Sequence, residues 1–196
     1  MPESLTVELG TRSYSIYIEP SIPGALESTV RELSAKNRRV AIVTDRNVAN
    51  AHPDMLAGLR EIAPDLVHIK SLLPGEPTKS IDNLGGLFDW MATCQVDRSG
   101  ALLAVGGGVI GDLAGFAAAA YLRGIDFFQV PTTLLAMVDS SVGGKTGINI
   151  TAGKNLVGAF YQPKAVFIGT DLLLTLPERE FSAGMAEIIQ YGMLWD

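Results

Sequence analysis

The residues with the clearest chemical meaning form the run Gly106-Gly107-Gly108-Val109-Ile110-Gly111, which has the spacing G-x-G-x-x-G. The run follows an apolar stretch typical of a buried strand and precedes a stretch typical of a helix. In that setting glycines let the backbone approach a pyrophosphate, and N–H groups at the helix start meet its charge. The pattern predicts a dinucleotide-binding turn. The alternative is a tight turn that only joins strand and helix.

A dinucleotide site also needs an acidic side chain for the ribose hydroxyl groups, commonly about 20 residues beyond the glycines. Spacing alone selects Asp126. Asp45 is the better candidate, because it follows the predicted strand Val40–Thr44 and so belongs at the carboxyl edge of the sheet, where such ligands bind. For either residue the alternative is an aspartate that caps a helix.

The run Asp139–Thr146 resembles a phosphate-binding P-loop but departs from it twice. Asp139 stands where G-x-x-x-x-G-K-[ST] requires its first glycine, and the four residues after the run are typical of a strand or turn, not of a helix. What remains is a carboxylate, two ammonium groups and an amide, on Asp139, Lys145, Lys154 and Asn155. These groups predict a site for an anionic, hydroxyl-rich substrate. The alternative is a solvated loop with scattered lysines.

Glu187 lies in the apolar stretch Met185–Gln190, and Gln190 shares its helix face three residues later. A carboxylate among apolar neighbours is either a salt-bridged surface residue or a ligand. The two histidines, His52 and His68, lie far along the chain and are interpreted as surface residues. The sequence therefore supplies no complete cluster of metal ligands.

The amino-acid composition argues against several classes of protein. With 196 residues, 47% hydrophobic and 18% charged, the chain fits one α/β domain, or one domain and the start of another, and disorder is excluded. A net charge of −6 argues against nucleic acid or an anionic membrane as the partner. The single cysteine, Cys94, excludes an intrachain disulfide, and with no secretory signal at the first residues it predicts a cytoplasmic location. Gly100–Leu122 is apolar enough to suggest a membrane span, but its central glycines beside Asp112 favour a strand, a turn and a helix.

Short strands that alternate with helices predict an α/β fold, a Rossmann-like parallel sheet with flanking helices and an N-terminal β-hairpin. The hairpin strands are Leu5–Leu9 and Tyr14–Ile18. Buried strands are predicted at Val40–Thr44, Leu66–Leu72, Ala101–Val105, Phe127–Val130 and Ala165–Gly169. Helices are predicted from the first of these strands to about Ala63, and at Ser80–Gln95, Leu113–Arg123 and Thr133–Asp139.

The last residues predict the start of a second, all-α domain. Pro177 marks a helix start within a capping pattern, and Ser182 is predicted to begin a new apolar helix over Ala183–Trp195. Because nothing downstream can cover the apolar face of that helix, the rest of the domain is expected to be missing. The expected division is an α/β domain at 1–178 and the first helix of the second domain at 179–196.

Taken together, these motifs resemble 3-dehydroquinate synthase, of the sugar-phosphate cyclase superfamily. The matching blocks follow in order along the chain: Pro74–Lys79, Gly106–Asp112, Pro131–Thr133, Asp139–Gly147, Gly153–Asn155, Gly158–Pro163, Leu176–Pro177 with Glu180, and Gly184–Glu187. The resemblance implies that residues 1–178 bind NAD. It implies that residues 179–196 open a C-terminal helical domain for metal and substrate.

The resemblance further implies a lyase of the shikimate pathway, and so of aromatic amino acid biosynthesis, that converts 3-deoxy-D-arabino-heptulosonate 7-phosphate to 3-dehydroquinate and phosphate. In this family NAD takes hydride from a ring alcohol, phosphate is eliminated, the hydride returns, and an aldol step closes the ring. A divalent metal, zinc or cobalt, polarises the alcohol. The implied enzyme is a cytoplasmic homodimer with no nucleic-acid or membrane partner.

Site residues follow from the same resemblance, position by position. The implied NAD pocket consists of Asp45, Asn47, Glu76, Lys79, Gly107, Gly108, Val109, Asp112, Thr132, Thr133, Leu135, Asp139, Ser140, Lys145, Lys154, Thr175, Leu176 and Glu180. The implied catalytic and substrate-binding residues are Asp139, Lys145, Lys154, Asn155 and Gln190, with Arg123 contributed by the neighbouring subunit. Glu187 is the implied first metal ligand.

Two departures from the family leave alternatives open. Gln190 stands where the family usually has lysine. The other two metal ligands of the family are histidines of the missing domain, so we expect this chain alone to lack synthase activity. The alternatives are another sugar-phosphate cyclase, making a valiolone or an inosose; a metal-dependent polyol dehydrogenase, which releases NADH; and a non-catalytic NAD-binding module.

Overall fold

The computed structural model describes residues 3–22 and 24–195, which form two sheets flanked by helices. The strands are β1 Glu3–Val7, β2 Tyr14–Glu19, β3 Val40–Asp45, β4 Val67–Leu72, β5 Ala101–Gly106, β6 Asp126–Pro131, β7 Lys145–Ile150, β8 Gly153–Phe160 and β9 Ala165–Gly169. The α-helices are α1 Gly24–Ala35, α2 Arg46–Ala51, α3 Pro53–Glu61, α4 Ile81–Thr93, α5 Gly108–Ala120 and α6 Glu178–Trp195.

The larger sheet has the strand order β1-β2-β9-β6-β5-β3-β4. Its neighbouring strands are parallel except for the hairpin of β1 and β2, so the predicted Rossmann-like α/β fold with an N-terminal hairpin is confirmed. β2 pairs with β9 from Ser15↔Ala165 onward. β7 and β8 form a separate antiparallel hairpin.

Successive residues of the central strands point into two different cores, because strand side chains alternate between the faces of a sheet. Val40 and Ile42 of β3 pack with α1, α2 and α3. Ala41 and Val43 pack with α4, α5 and Ile148 of the β7–β8 hairpin. Burial of each large apolar side chain contributes about 1.5–3 kcal/mol, which holds helices on both faces of the sheet.

The chain changes direction across the sheet between β3 and β5. From β3 it passes to β4 at the edge, whereas from β5 it passes to β6 on the other side. The helix after β3 packs on one face and the helix after β5 on the opposite face. The loops that leave the carboxyl ends of these neighbouring strands therefore diverge, and this leaves the crevice in which open α/β sheets bind ligands.

Three predicted helices differ from those observed. The helix predicted at Leu113–Arg123 begins earlier, at Gly108, and ends at Ala120, because Leu122 and Arg123 have φ angles of 51° and 69° that cannot continue a right-handed helix. The helix predicted at Thr133–Asp139 is largely a π-helical turn over Ala136–Ser140.

The third difference concerns Ser182, which does not begin a new helix, since α6 runs without interruption from Glu178. The N–H groups of Glu180 and Phe181 already donate to the carbonyl oxygen of Pro177, so the first turn of the helix forms before Ser182 is reached. The strand and helix in place of a membrane span at Gly100–Leu122 are confirmed. No helix in the described part of the chain is long and apolar enough to cross a membrane.

Candidate functional site

The switch point places Asp45 and the glycine run at the ends of adjacent strands. Asp45 ends β3 and caps α2, where its Oδ1 accepts the N–H groups of Asn47 at 2.8 Å and Val48 at 3.0 Å. Asp126, the candidate that spacing alone selects, begins β6 and so lies at the amino edge, where Arg38 Nη2 donates to its Oδ2 at 2.5 Å. Only Asp45 of the two borders the crevice.

The glycine run brings backbone and neighbouring side chains closer than any other residue type allows. A Cβ on Gly106 would lie 2.7 Å from Cβ of Ile110. On Gly107 it would lie 3.0 Å from Cγ2 of Thr133, and on Gly108 3.0 Å from Oγ of Ser140. Gly107 is the N-cap of α5 and offers no side chain to it. Ile110 and Gly111 donate their N–H groups to the carbonyl oxygen of Gly107, whereas the N–H groups of Gly108 and Val109 have neither a backbone partner nor a side-chain cap in the described structure, as a phosphate-binding helix start requires.

A cavity of about 500 Å³ adjoins α5 and the β7–β8 hairpin. Its polar lining includes Asp112, Asp139, Ser140, Lys145 and Asn155, and its apolar lining includes Leu156 and Phe160 of β8. Most of these polar residues are those that the sequence predicted to act together. Sequence reasoning missed Leu156 and Phe160, because alternation in a strand gives no sign of which face borders a cavity.

Lys79 is the centre of a buried network beside this cavity. Its side chain is 4% exposed, and its Nζ donates to Asp112 Oδ2 at 2.6 Å and to Asn155 Oδ1 at 2.5 Å. Glu76 Oε1 lies 3.8 Å from the same nitrogen. Burial raises the pKa of Asp112 even though Lys79 acts in the opposite direction. Lys79 thus joins the turn after β4, helix α5 and the hairpin through one ammonium group.

The other ammonium group at the cavity belongs to Lys145, whose Nζ lies 3.1 Å from Asp139 Oδ1. This hydrogen bond raises the pKa of Lys145 above its ordinary value, and the negative charge of Asp112 acts in the same direction. Lys154 is exposed and is not among the residues that line the cavity. The structure therefore brings Asp139, Lys145 and Asn155 together, with Lys79 as the second ammonium group in place of Lys154.

Helix α6 approaches the site through a close contact at Gly184. A Cβ there would lie 2.6 Å from Cβ of Leu134 and 2.7 Å from N of Leu135, in the turn that follows β6. Glu187, one turn further along α6, is half-buried, and Gln190 is exposed. Across residues 3–22 and 24–195 no three His, Cys, Asp or Glu side chains are grouped so as to hold a metal ion. Glu187 therefore belongs to no complete group of metal ligands among the described residues.

The remaining predicted residues differ in how they are held. Thr132 donates its N–H to the carbonyl oxygen of Gly106 at 3.0 Å, and Thr133 Oγ1 accepts the N–H of Ala136. Thr175 Oγ1 lies 2.8 Å from Nε2 of His52, which is half-buried and not a simple surface residue. The predicted residues that are exposed or half-buried and whose side chains make no hydrogen bond within the described part of the chain are Asn47, Val109, Arg123, Leu135, Leu176 and Glu180.

Comparison with known proteins decides the family. The family described as 3-dehydroquinate synthase N-terminal matches residues 69–183, a range that contains the glycine run, the buried lysine and the hairpin. The chain belongs to the 3-dehydroquinate synthase family. A 3-dehydroquinate synthase of Opitutus terrae is 58% identical over 196 residues, which are 100% of this chain and 53% of that protein. The chain thus spans about half the length of the curated family members it matches.

Solved structures of similar enzymes have the same fold. One is 2-deoxy-scyllo-inosose synthase complexed with carbaglucose-6-phosphate, NAD+ and Co2+, with a TM-score of 0.80, 31% identity, and coverage of 95% of this chain and 51% of that one. Another is the 2-epi-5-epi-valiolone synthase ValA of Streptomyces hygroscopicus with NAD+ and Zn2+, with a TM-score of 0.77, 30% identity, and coverage of 89% and 48%. Both are relatives of the 3-dehydroquinate synthase family in sequence as well as in fold.

Proposed function

We propose that this chain binds NAD in the crevice between β3 and β5, and that the whole protein converts 3-deoxy-D-arabino-heptulosonate 7-phosphate to 3-dehydroquinate and phosphate. The observation that carries the proposal is the start of α5 at the switch point, which has no side-chain cap and lies beside a cavity lined by the ammonium group of Lys145. The relatives named 3-dehydroquinate synthase, and the NAD+ in two similar solved enzymes, support it.

Each border of the crevice takes one part of the cofactor. Asp45 and Asn47 receive the adenosine ribose, with Glu76 and Lys79 nearby. The start of α5, from Gly107 to Asp112, adjoins the pyrophosphate and holds it by the N–H groups of Gly108 and Val109. The pocket is completed by Val109, Thr132, Thr133, Leu135, Asp139, Ser140, Lys145, Lys154, Thr175, Leu176 and Glu180.

The substrate lies in the cavity next to the hairpin. Lys145 at the cavity wall neutralises negative charge on the substrate, and Lys154 is assigned to the substrate from the family resemblance although it lies outside the cavity lining. Asp139 accepts a hydrogen bond from a substrate hydroxyl group, and Asn155 donates one from its amide. When bound, NAD supplies the reversible removal of hydride from the substrate alcohol. The contribution of this chain is orientation and charge: the pair of Lys145 and Asp139 fixes the ammonium group at the cavity wall, 3.1 Å from the carboxylate.

Parts of the complete site come from outside the described residues. We assign Glu187 as one ligand of a divalent metal, zinc or cobalt, whose remaining ligands are supplied elsewhere. Arg123 reaches the substrate phosphate of the neighbouring subunit in a homodimer, which agrees with its exposed position. Residues 1–178 act as the NAD-binding domain and 179–196 as the first helix of a helical domain. The protein works in the cytoplasm, without nucleic-acid or membrane partners.

The cofactor part is tested by calorimetric titration of the 196-residue chain with NAD+. Saturable binding is expected. Gly108→Ala should weaken it at least about tenfold, because the new methyl group fills the gap between the start of α5 and Ser140. Gly86→Ala is the matched control, since its Cβ meets nothing within 4 Å. A chain that does not bind NAD+, or that binds it equally well in both variants, would contradict this assignment.

The reaction is tested by mixing the whole protein with the heptulosonate phosphate, NAD+ and Zn2+ or Co2+. Release of phosphate with formation of 3-dehydroquinate is the expected result. The 196-residue chain alone should bind NAD+ without turnover, since its described residues offer a single metal ligand. Turnover by the chain alone at a rate close to that of the whole protein would overturn this division of the site.

A second candidate is another sugar-phosphate cyclase. Gln190 favours it, because the neutral amide replaces the cation that faces the substrate in the family, and the solved inosose and valiolone synthases have the same fold. Turnover of sedoheptulose 7-phosphate compared with the heptulosonate phosphate separates the two. Preference for the substrate without a carboxylate would favour this second candidate.

A further inference from the structure

The β7–β8 hairpin contains an irregularity at the point where it meets the cofactor side. Ile148 pairs with Val157, but Ile150 pairs with Gly153, so Asn149 alone faces Lys154, Asn155 and Leu156. Asn155 within this bulge has a φ of 55°, a left-handed conformation that asparagine tolerates better than most residues. Bulges of this kind re-aim side chains next to active sites.

Asn149 makes hydrogen bonds through its backbone N–H and through both polar atoms of its side chain. Its backbone N–H donates to the carbonyl oxygen of Lys79 at 2.8 Å. Its Nδ2 donates to Glu76 Oε1 at 2.8 Å. Its Oδ1 accepts the backbone N–H of Asn155 at 2.9 Å. The reversed amide would set an NH2 group against an N–H and an oxygen against a carboxylate, so the two neighbours fix its orientation.

These partners belong to the two borders proposed for the ligands. Glu76 is assigned to the cofactor side, and Asn155 lines the cavity proposed for the substrate. Asn155 is bound a second time, through its Oδ1, to the buried Lys79, so its Nδ2 is the donor that it offers to a ligand. Because Lys79 Nζ also lies 3.8 Å from Glu76, the half-buried Asn149 is one of two connections between the carboxylate and the amide.

We propose that Asn149 is a positioning residue that couples the two halves of the site, so that NAD and the phosphorylated substrate each strengthen the binding of the other. This inference rests on the proposed function. Ordering of Glu76 by the cofactor orders Asn149, and through it the backbone of Asn155, before the substrate arrives. Coupling between two sites is reciprocal and typically about 5-fold or more in affinity.

Calorimetry tests the coupling on the 196-residue chain, with NAD+ and the 7-phosphonate analogue of the heptulosonate phosphate, which cannot lose phosphate. In the unmodified chain each ligand should tighten the other about 5-fold or more. Asn149→Ala should reduce this factor to about 2 or less, because one of the two connections between Glu76 and Asn155 is removed and the backbone N–H of Asn155 loses its acceptor. Thr151→Ala, an exposed change in the turn of the same hairpin, is the matched control and should retain the full factor.

A variant in which the hydrogen bond between positions 149 and 76 runs in the opposite direction separates a positioning role from general destabilisation. Asn149→Asp keeps the acceptor for Asn155 but sets a carboxylate against Glu76, so NAD+ affinity should fall about tenfold or more. In Asn149→Asp with Glu76→Gln the glutamine amide donates to the new carboxylate. Because Glu76 itself is assigned to the cofactor side, Glu76→Gln alone is the reference, and the double variant should have NAD+ affinity and coupling within about threefold of it.

The possible failures are distinguishable. If the unmodified chain does not bind NAD+, the proposed function fails and the inference with it. If it binds both ligands but Asn149→Ala retains the coupling, the inference alone is wrong. Should Asn149→Ala lose its cooperative thermal unfolding, the double variant decides: a folded double variant without recovered coupling overturns the inference, and recovery supports it.

Discussion

Helix α5, which begins at the β5–α5 turn, and the β7–β8 hairpin line the same cavity, but the turn and the hairpin are built differently. The turn presents backbone, and its glycines permit close packing, because a Cβ on Gly106 would overlap Ile110 and a Cβ on Gly107 or Gly108 would lie only 3.0 Å from Thr133 or Ser140. The hairpin presents side chains, which are held by hydrogen bonds from Asn149 and Lys79. The comparison teaches that the phosphate-binding border depends on close packing, whereas the substrate border depends on charge and hydrogen bonding and can be altered by a single polar substitution.

The largest loss of stability is expected on substitution of Lys79, where the two borders meet. Lys79→Met should lower the free energy of unfolding by about 3 kcal/mol, because the mostly buried carboxylate of Asp112 loses its partner. Urea denaturation measures this loss. Lys79→Met combined with Asp112→Leu is the control and should recover most of the stability. A loss below about 1 kcal/mol in the single variant would show that water replaces the lysine.

Close packing between α5 and the hairpin is tested at Gly115. An added Cβ would overlap Cγ2 of Thr146 on β7 and lie 3.1 Å from the ring of Phe127. Gly115→Ala should cost about 2 kcal/mol. Thr146→Ser removes the overlapping methyl group but keeps the hydroxyl that donates to Ala159, so the same glycine substitution should cost less in that background. Equal costs in both backgrounds would mean that packing at this position does not limit stability.

Substitutions of Asp45 can separate its two roles, the capping of α2 and the binding of the ligand. Asp45→Ala should cost about 1 kcal/mol in stability, since two N–H groups of α2 lose their acceptor. Asp45→Asn keeps a capping oxygen and should leave stability nearly unchanged, while NAD+ affinity falls in both variants. Calorimetry and thermal unfolding of the same samples measure the two effects. Unchanged NAD+ affinity in Asp45→Asn would make the aspartate a helix cap alone.

The smallest effect belongs to the exposed pair of Lys145 and Asp139. The hydrogen bond to Asp139 raises the pKa of Lys145 in the folded state, so the stabilisation is complete below pH 10.5 and is lost as the pH rises through the folded-state pKa. Because the lysine side chain is 58% exposed, the contribution is about 0.5 kcal/mol or less. Asp139→Asn should remove it at pH 8 and make no difference at pH 12, as denaturation at both pH values would measure.

Much of the fold could be predicted from the sequence, because buried parallel strands are short apolar runs bounded by turns. Each of the five predicted buried strands lies within one or two residues of an observed strand. The position of Asp45 at the carboxyl edge followed from the same pattern. The continuous helix α6 could not be predicted, since Ser182 has the type of an N-cap and only tertiary packing at Gly184 shows that it lies inside a helix.

The polar network of the site was less predictable. Lysine is rarely buried, and nothing in the run Pro74–Lys79 indicates that its last residue is 4% exposed. Asn149 gave no signal either, because its importance depends on a strand register that only the folded hairpin reveals. The roles of the site residues remain predictions from resemblance to the family, and the described geometry supplies their contacts.

The pairing of Ser15 in β2 with Ala165 in β9 has a consequence for biosynthesis. Strand β2 can pair with β9 only after β9 has left the ribosome. At a synthesis rate of about 5–20 residues per second, this interval is roughly 8 to 30 seconds. During that interval the β1–β2 hairpin has an open edge in the nascent chain, and chaperone protection of this edge would favour correct assembly over aggregation.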